Sequence, residues 1–247
     1  MTTATADTRL HPIAAFRAMR ALTRNREDTR QVFLLNDALR GKTSLRQFAR
    51  FRQSETGKAV LAERRRLLDR LNDRASLAAL PHGTLGREYY EFMAAESLSA
   101  DGLVAASNFE NLPPGEEMTL FRERSREMHD LFHIVSGYGR DPLGESCLTA
   151  FSFAQGGLKG FAVIAFVSSH RISRACPGLP IRRTVFEGYR HGRRAGWLYG
   201  ADWENLLDQP VEAIRAQYGV VTPKLYPPVL AAIRATRRID ETQPAMG

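Results

Sequence analysis

What this chain lacks narrows its class before any motif is read. It holds only two cysteines in 247 residues, Cys147 and Cys176. That is too few for a secreted disulfide framework, so a reducing interior fits best. The most apolar run, Phe161 to Val167, falls far short of the roughly 20 residues that cross a bilayer as a helix. No other span is expected. The N-terminus has no apolar stretch of the kind a secretory signal needs. It is arginine-bearing and acid-poor, faintly like a transit peptide. Leu10 to Leu22 reads equally as a first amphipathic helix, with Ile13, Ala15, Phe16, Met19 and Leu22 on one side. Recognition motifs, zinc-finger spacings and aromatic-interleaved basic strands are missing, so nucleic acid is not an expected partner. Strand patterns are thin and no low-complexity linker divides the chain.

What the chain has is positive charge and helical periodicity. Lysine and arginine number 35 against 27 acids, a net charge of +8. This balance suits an anionic surface such as phospholipid headgroups, and reads equally as a solvated arginine-rich exterior. Helices are expected over Asn25 to Arg40, from a cap at Ser44 through Phe51, and over Thr56 to Leu71, whose Arg64, Arg65, Arg66 and Arg70 form a basic side. The turn from Pro81 to Gly86 launches a helix carrying Tyr89, Tyr90, Phe92 and Met93, most simply core and alternatively the wall of a tunnel. After Glu145 comes a central buried helix broken by glycines, with His170 and Arg171 suited to its C-terminus. Val185 to Leu198 carries Phe186, Tyr189 and Trp197 on an aromatic face, and Arg190, His191, Arg193 and Arg194 on a basic one. Short helices open at Asp202-Trp203 and Pro210, and one more follows Pro223. The fold class is therefore all-α: a single-domain helical bundle over 1–247, with about 1–9 and 240–247 flexible at the ends.

Chemistry concentrates in Met128 to Glu145. His129 and His133 stand four apart, so on a helix over Phe121 to Val135 both rings leave the same face. Asp130 sits between them. Gly137, Gly139, Pro142 and Gly144 break the helix, and Glu145 opens the next segment with eleven residues between it and His133. Two imidazoles and two carboxylates suit a borderline divalent metal, zinc before iron or manganese. The same residues also read as a polar helix end, with His129 and Asp130 exposed, His133 hydrogen-bonded in the core and Glu145 a first-turn acid. Cys147 adds a conceivable sulfur ligand, although a buried thiol is the simpler reading. Asp141 is a weaker candidate for proton transfer and more simply a turn residue before Pro142.

His-Asp-x-x-His, eleven residues and Glu resembles the signature of the coenzyme Q biosynthesis protein four family. Leu80-Pro81-His82-Gly83-Thr84-Leu85-Gly86 through Tyr89 resembles a second family segment. Arg122 to Glu127 resembles the approach to the histidines, with Ser125 where a tyrosine stands in relatives. Gly192-Arg193-Arg194-Ala195, Trp203-Glu204 and Ile214-Arg215 resemble the C-terminal block. Two departures follow the glutamate: Thr149 and Ser152 replace the usual lysine and glutamate. Asp101 to Glu117, with its Pro113-Pro114-Gly115 turn, also diverges.

The resemblance implies a zinc site at His129, Asp130, His133 and Glu145, between two helices and beside an apolar lipid-binding cavity. It implies ubiquinone biosynthesis by oxidative decarboxylation, with carboxyl removal and hydroxylation at ring carbon one of a polyprenylated aromatic acid. Expected partners are that substrate or a quinone intermediate, other ubiquinone biosynthesis proteins, an anionic membrane and a second copy in a homodimer. The expected location is the bacterial cytoplasm, peripheral to the inner membrane. A non-catalytic lipid-binding organiser, or a diverged relative acting on another aromatic or isoprenoid substrate, are the competing expectations.

Overall fold

Helices supply every regular element among the described residues, which are 9–24, 29–95 and 115–242 of the computed structural model. In chain order they are α1 (Pro12–Arg24), α2 (Thr29–Ala38), α3 (Thr43–Gln53), α4 (Glu55–Glu63), α5 (Leu67–Asn72), α6 (Arg74–Ala79) and α7 (Leu85–Ala95). Then come α8 (Glu116–Ser136), α9 (Pro142–Gly156), α10 (Lys159–Ala175) and α11 (Ile181–Arg194). The 3-10 turn Leu198–Gly200 leads to α12 (Trp203–Leu206), α13 (Val211–Tyr218) and α14 (Tyr226–Thr242). Between Thr84 and Pro210 there is an isolated antiparallel bridge. The expected all-α class therefore holds. Most of the divergent stretch from Asp101 onward lies outside the described residues, as do 1–8 and 243–247.

The long helix α8 runs through the core. Leu131 and Val135 are completely buried, with Phe132 at 2% exposure. Phe132 meets Phe151, Tyr199 and Trp203 at ring separations of 5.7–5.9 Å. Burying each such side chain is worth about 1.5–3 kcal/mol. Charged groups on the same helix are buried with partners brought from elsewhere. Arg124 pairs with Glu204 and donates to the Ala201 carbonyl at 2.9 Å, while Glu127 accepts from the Leu68 amide at 3.1 Å.

Helices α9 and α11 form the most extensive helix pair, and a close backbone approach makes this contact. A Cβ at Gly188 would overlap the Cys147 carbonyl, so only glycine allows that separation. Helix α10 packs against α9 on one side and α2 on another. A smaller apolar cluster of Ala15, Ala18, Leu35 and Ala38 joins α1 to α2.

Several expectations are corrected. Thr56 to Leu71 is two helices, because Arg64 takes a left-handed conformation (φ 52°) that ends α4. Ser54, not Ser44, is a cap: its hydroxyl accepts from the Gly57 amide. Helix α1 buries Ala15, Ala18 and Leu22 and leaves Ile13 and Phe16 about two-thirds exposed. The segment after Glu145 is two helices, of which α9 is the buried one; Phe166 on α10 is 72% exposed. His170 and Arg171 lie before the end of α10, where His170 accepts from Arg182 and Arg171 donates to the Thr23 carbonyl. His191 turns inward from the basic face of α11 and meets the Tyr138 hydroxyl at 3.2 Å.

Candidate metal centre

The site forms where α8 ends and α9 begins. Gly137 stops α8 in the left-handed conformation (φ 77°), its amide donating to the His133 carbonyl. Asp141 then caps α9, accepting from the Leu143 and Gly144 amides at 3.1 Å each. The chain reverses within five residues, and Glu145 in the first turn of α9 faces the two histidines of α8.

His133 Nε2 lies 3.4 Å from one Glu145 carboxylate oxygen, and His129 Nε2 lies 3.8 Å from the other. The two imidazoles meet edge to face at 4.9 Å. His129, Asp130 and His133 each present a donor atom within 4.8 Å of the others, a group that could hold a metal ion. Glu145 is not part of that group, although its carboxylate faces both histidines.

The donor set fits a cation on a specific observation. His133 Nδ1 is 2.8 Å from the Tyr138 carbonyl, which can only accept. Nδ1 therefore carries a hydrogen, and in the neutral ring Nε2 keeps a lone pair. That Nε2 is buried without a hydrogen-bond partner and faces a carboxylate oxygen across 3.4 Å. Two acceptors so placed call for a positive charge between them.

In the absence of a metal, protonated imidazoles can supply that positive charge. Burial alone would raise the Glu145 pKa, yet the facing imidazoles of His129 and His133 outweigh it and hold the carboxyl well below its usual range. Burial works against protonation of His129, but Glu145 and Asp130 prevail and raise its pKa, with Arg140 opposing them.

The expected polar helix end is thus only half right: His133 is buried, but Asp130 is too, at 6% exposure, and His129 keeps 34% of its side chain exposed. Cys147 points away from the site, its thiol directed at the Thr184 carbonyl and its pKa raised by burial. Asp141 is the cap just described. The Thr149 hydroxyl donates back to the Glu145 carbonyl at 2.6 Å, and Ser152 is buried.

A cleft of about 340 Å³ opens beside His133, lined also by Glu88, Glu91 and Phe92 of α7, by Ile134 and by 137–139. Its wall is mixed rather than purely apolar. Tyr89 and Met93 belong to the core, as expected. His82 is largely exposed and pairs with Glu91 at 3.1 Å. The sequence reading passed over Arg140. Its guanidinium lies 5.6 Å from the Phe92 ring, and one of its nitrogens is buried without a hydrogen-bond partner. The only signal was a cation inside the glycine-rich break.

Residues 7–224 match the model of the family described as coenzyme Q (ubiquinone) biosynthesis protein Coq4. The chain belongs to this family. Among its relatives, the human mitochondrial ubiquinone biosynthesis protein COQ4 homolog is 28% identical over 71% of this chain and 64% of its own length. The zebrafish (Danio rerio) homolog is 28% identical over 78% of this chain and 69% of its own. The Botryotinia fuckeliana protein is 30% identical over 69% and 59%. The chain thus spans about two-thirds or less of several of these Coq4 relatives. A crystal structure of a ubiquinone biosynthesis protein from Nostoc punctiforme superposes with a TM-score of 0.63 over 88% of this chain and all of the other, at 24% identity. That likeness shows that the Coq4 chain here shares its fold.

Proposed function

We propose that this protein acts in ubiquinone biosynthesis as a zinc-dependent enzyme. It removes the carboxyl group at ring carbon one of a polyprenylated aromatic acid as carbon dioxide and leaves a hydroxyl there, with dioxygen as the two-electron oxidant, reduced to hydrogen peroxide, and one water consumed. The observation that carries this reading is the lone pair of His133 Nε2 facing Glu145 across 3.4 Å. Membership of the Coq4 family and the names of the relatives supply the pathway.

His129, His133 and one of the carboxylates of Asp130 and Glu145 would hold the metal. When bound, zinc supplies a Lewis acid that stabilises negative charge on a substrate oxygen and carries no redox electrons. A catalytic tetrahedral site keeps one position open, so one of Asp130 and Glu145 orients the site without binding. Arg140 receives the substrate carboxylate: its charge is permanent, its fork suits two oxygens, and one nitrogen lacks a partner. Phe92 and the cleft beside it take the aromatic ring. The Thr149 hydroxyl, occupied by the Glu145 carbonyl, does not replace the lysine found in relatives.

The prenyl tail requires access to a bilayer. The net charge of +8 favours peripheral contact with anionic lipid, at the inner face of a bacterial inner membrane. No helix among the described residues is long and apolar enough to cross it. Other ubiquinone biosynthesis proteins are the natural partners there.

A second reading, a lipid-binding organiser with a structural metal, draws on Glu145 facing both histidines of the His129, Asp130 and His133 group, since four ligands would close a tetrahedral site. Lipid extracts from cells lacking this protein, complemented with wild type or His133→Ala and resolved by mass spectrometry, separate the two. A ring-carboxylated intermediate cleared only by the wild type supports the enzyme. Clearance by both variants leaves the metal dispensable, and unchanged ubiquinone in the deletion strain removes the pathway assignment.

A further inference from the structure

The tautomer of His133 is set by the Tyr138 carbonyl, and that carbonyl belongs to a loop with its own anchor. The next amide, that of Gly139, donates to the Tyr226 hydroxyl at 3.0 Å. The same hydroxyl donates to one carboxylate oxygen of Asp141. The other Asp141 oxygen caps α9 through the Leu143 and Gly144 amides. The Tyr226 ring packs edge-on to that of Tyr138 at 5.5 Å and is 6% exposed. A Cβ at Gly139 would come within 2.6 Å of the hydroxyl, so a residue without a side chain lets the loop reach it. Burial and the neighbouring Asp141 both raise the Tyr226 pKa, so the hydroxyl retains the proton it donates.

One hydroxyl at the start of α14 therefore touches both halves of the metal centre. On one side it holds the peptide beside the carbonyl that receives His133. On the other it holds the cap of the helix that carries Glu145. Tyr226 lies beyond residue 224, where the match to the family model ends.

We propose that Tyr226 is a positioning residue for the metal centre, its hydroxyl locking the loop 137–141 so that His133 keeps its hydrogen on Nδ1 and its lone pair toward Glu145. The use of that lone pair for a metal rests on the reading above; the lock itself does not. Without the hydroxyl, the Gly139 amide and Asp141 both lose a partner. The Tyr138–Gly139 peptide is then free to turn, and the imidazole can move its hydrogen to Nε2, facing the Glu145 carboxylate.

The test uses the full chain, stripped of metal and labelled with nitrogen-15, and reads the signals of the neutral imidazole. Long-range proton–nitrogen spectra distinguish the two tautomers, and His133→Gln assigns the signal. Wild type should show the Nδ1–H form. Tyr226→Phe should show a mixture or the Nε2–H form, with zinc affinity, measured against a chromophoric chelator, lowered about tenfold or more. A Tyr226→Phe protein with the wild-type tautomer overturns the proposal, whatever its thermal stability. If that variant does not fold, Asp141→Asn decides: its amide oxygen keeps the cap on α9, and its NH2 removes the oxygen to which Tyr226 donates while the Gly139 contact stays. It should shift the tautomer in the same direction by less, and an unchanged signal there also overturns the lock. Failure of the wild type to bind zinc would count against the metal reading alone.

Discussion

His133 Nε2 and a Glu145 oxygen stand 3.4 Å apart across the junction of α8 and α9, the first a buried lone pair and the second an anion. A cation placed between them gains both as ligands. Purified wild type should bind one zinc per chain by elemental analysis after dialysis. His133→Ala should lose affinity by more than roughly 100-fold, and Glu145→Ala by at least about tenfold, the scale of an orienting group. Full zinc occupancy in both variants would argue against these ligands.

Arg140 offers a charged fork beside Phe92 with a nitrogen that meets no acceptor. Arg140→Lys keeps the charge and loses the bidentate geometry. In steady-state assays the substitution should raise KM for a carboxylated substrate by about tenfold, on the order of 1.4 kcal/mol. Zinc content should be unchanged. An unchanged KM would remove Arg140 from substrate binding.

His191 is buried against Tyr138, and burial lowers its pKa from the ordinary 6.5, with Arg194 and Arg190 acting in the same sense against Glu187. Between the lowered folded value and 6.5 the unfolded chain binds more protons than the folded one. Stability therefore rises with pH through that window and falls as the medium is acidified below 6.5. Urea titrations at several pH values should show this slope in wild type. His191→Gln should flatten it, and an identical slope in both would exclude His191 as its source.

Arg124 and Glu204 form a buried ion pair, with Arg124 only 1% exposed. Arg124→Met leaves Glu204 buried without its partner and should cost about 3–5 kcal/mol in urea unfolding. Adding Glu204→Gln should restore much of the loss, because the stranded charge, not the missing attraction, dominates the cost. Additive losses in the double variant would contradict this.

How much of this was legible depends on whether the cause was local. The i, i+4 histidines and the stop at Gly137 are short-range chemistry and were legible, whereas Asp141, legible only as a turn residue, proves to be the cap of α9. The break at Arg64 was not legible, since Arg65 turns to meet Asp202, 137 residues away, at 2.9 Å. Arg124 has the same character: its partner Glu204 arrives from another helix 80 residues on. Helix α1 shows tertiary choice overriding hydrophobic pattern, burying alanines that allow close approach to α2 while Ile13 and Phe16 stay outside. Arg140 escaped notice because its significance lies in the ring of Phe92, supplied by a separate helix.

The central claim is metal-dependent loss of a ring carboxyl. It is tested most directly by incubating purified protein under air with a polyprenylated aromatic acid labelled with carbon-13 at the carboxyl, in detergent, and measuring labelled carbon dioxide. Release by the zinc-loaded wild type, abolished by chelation and by His133→Ala and accompanied by a ring hydroxyl, is the result the account predicts. Intact substrate with the loaded wild type, or release at the same rate from metal-stripped protein, would contradict it.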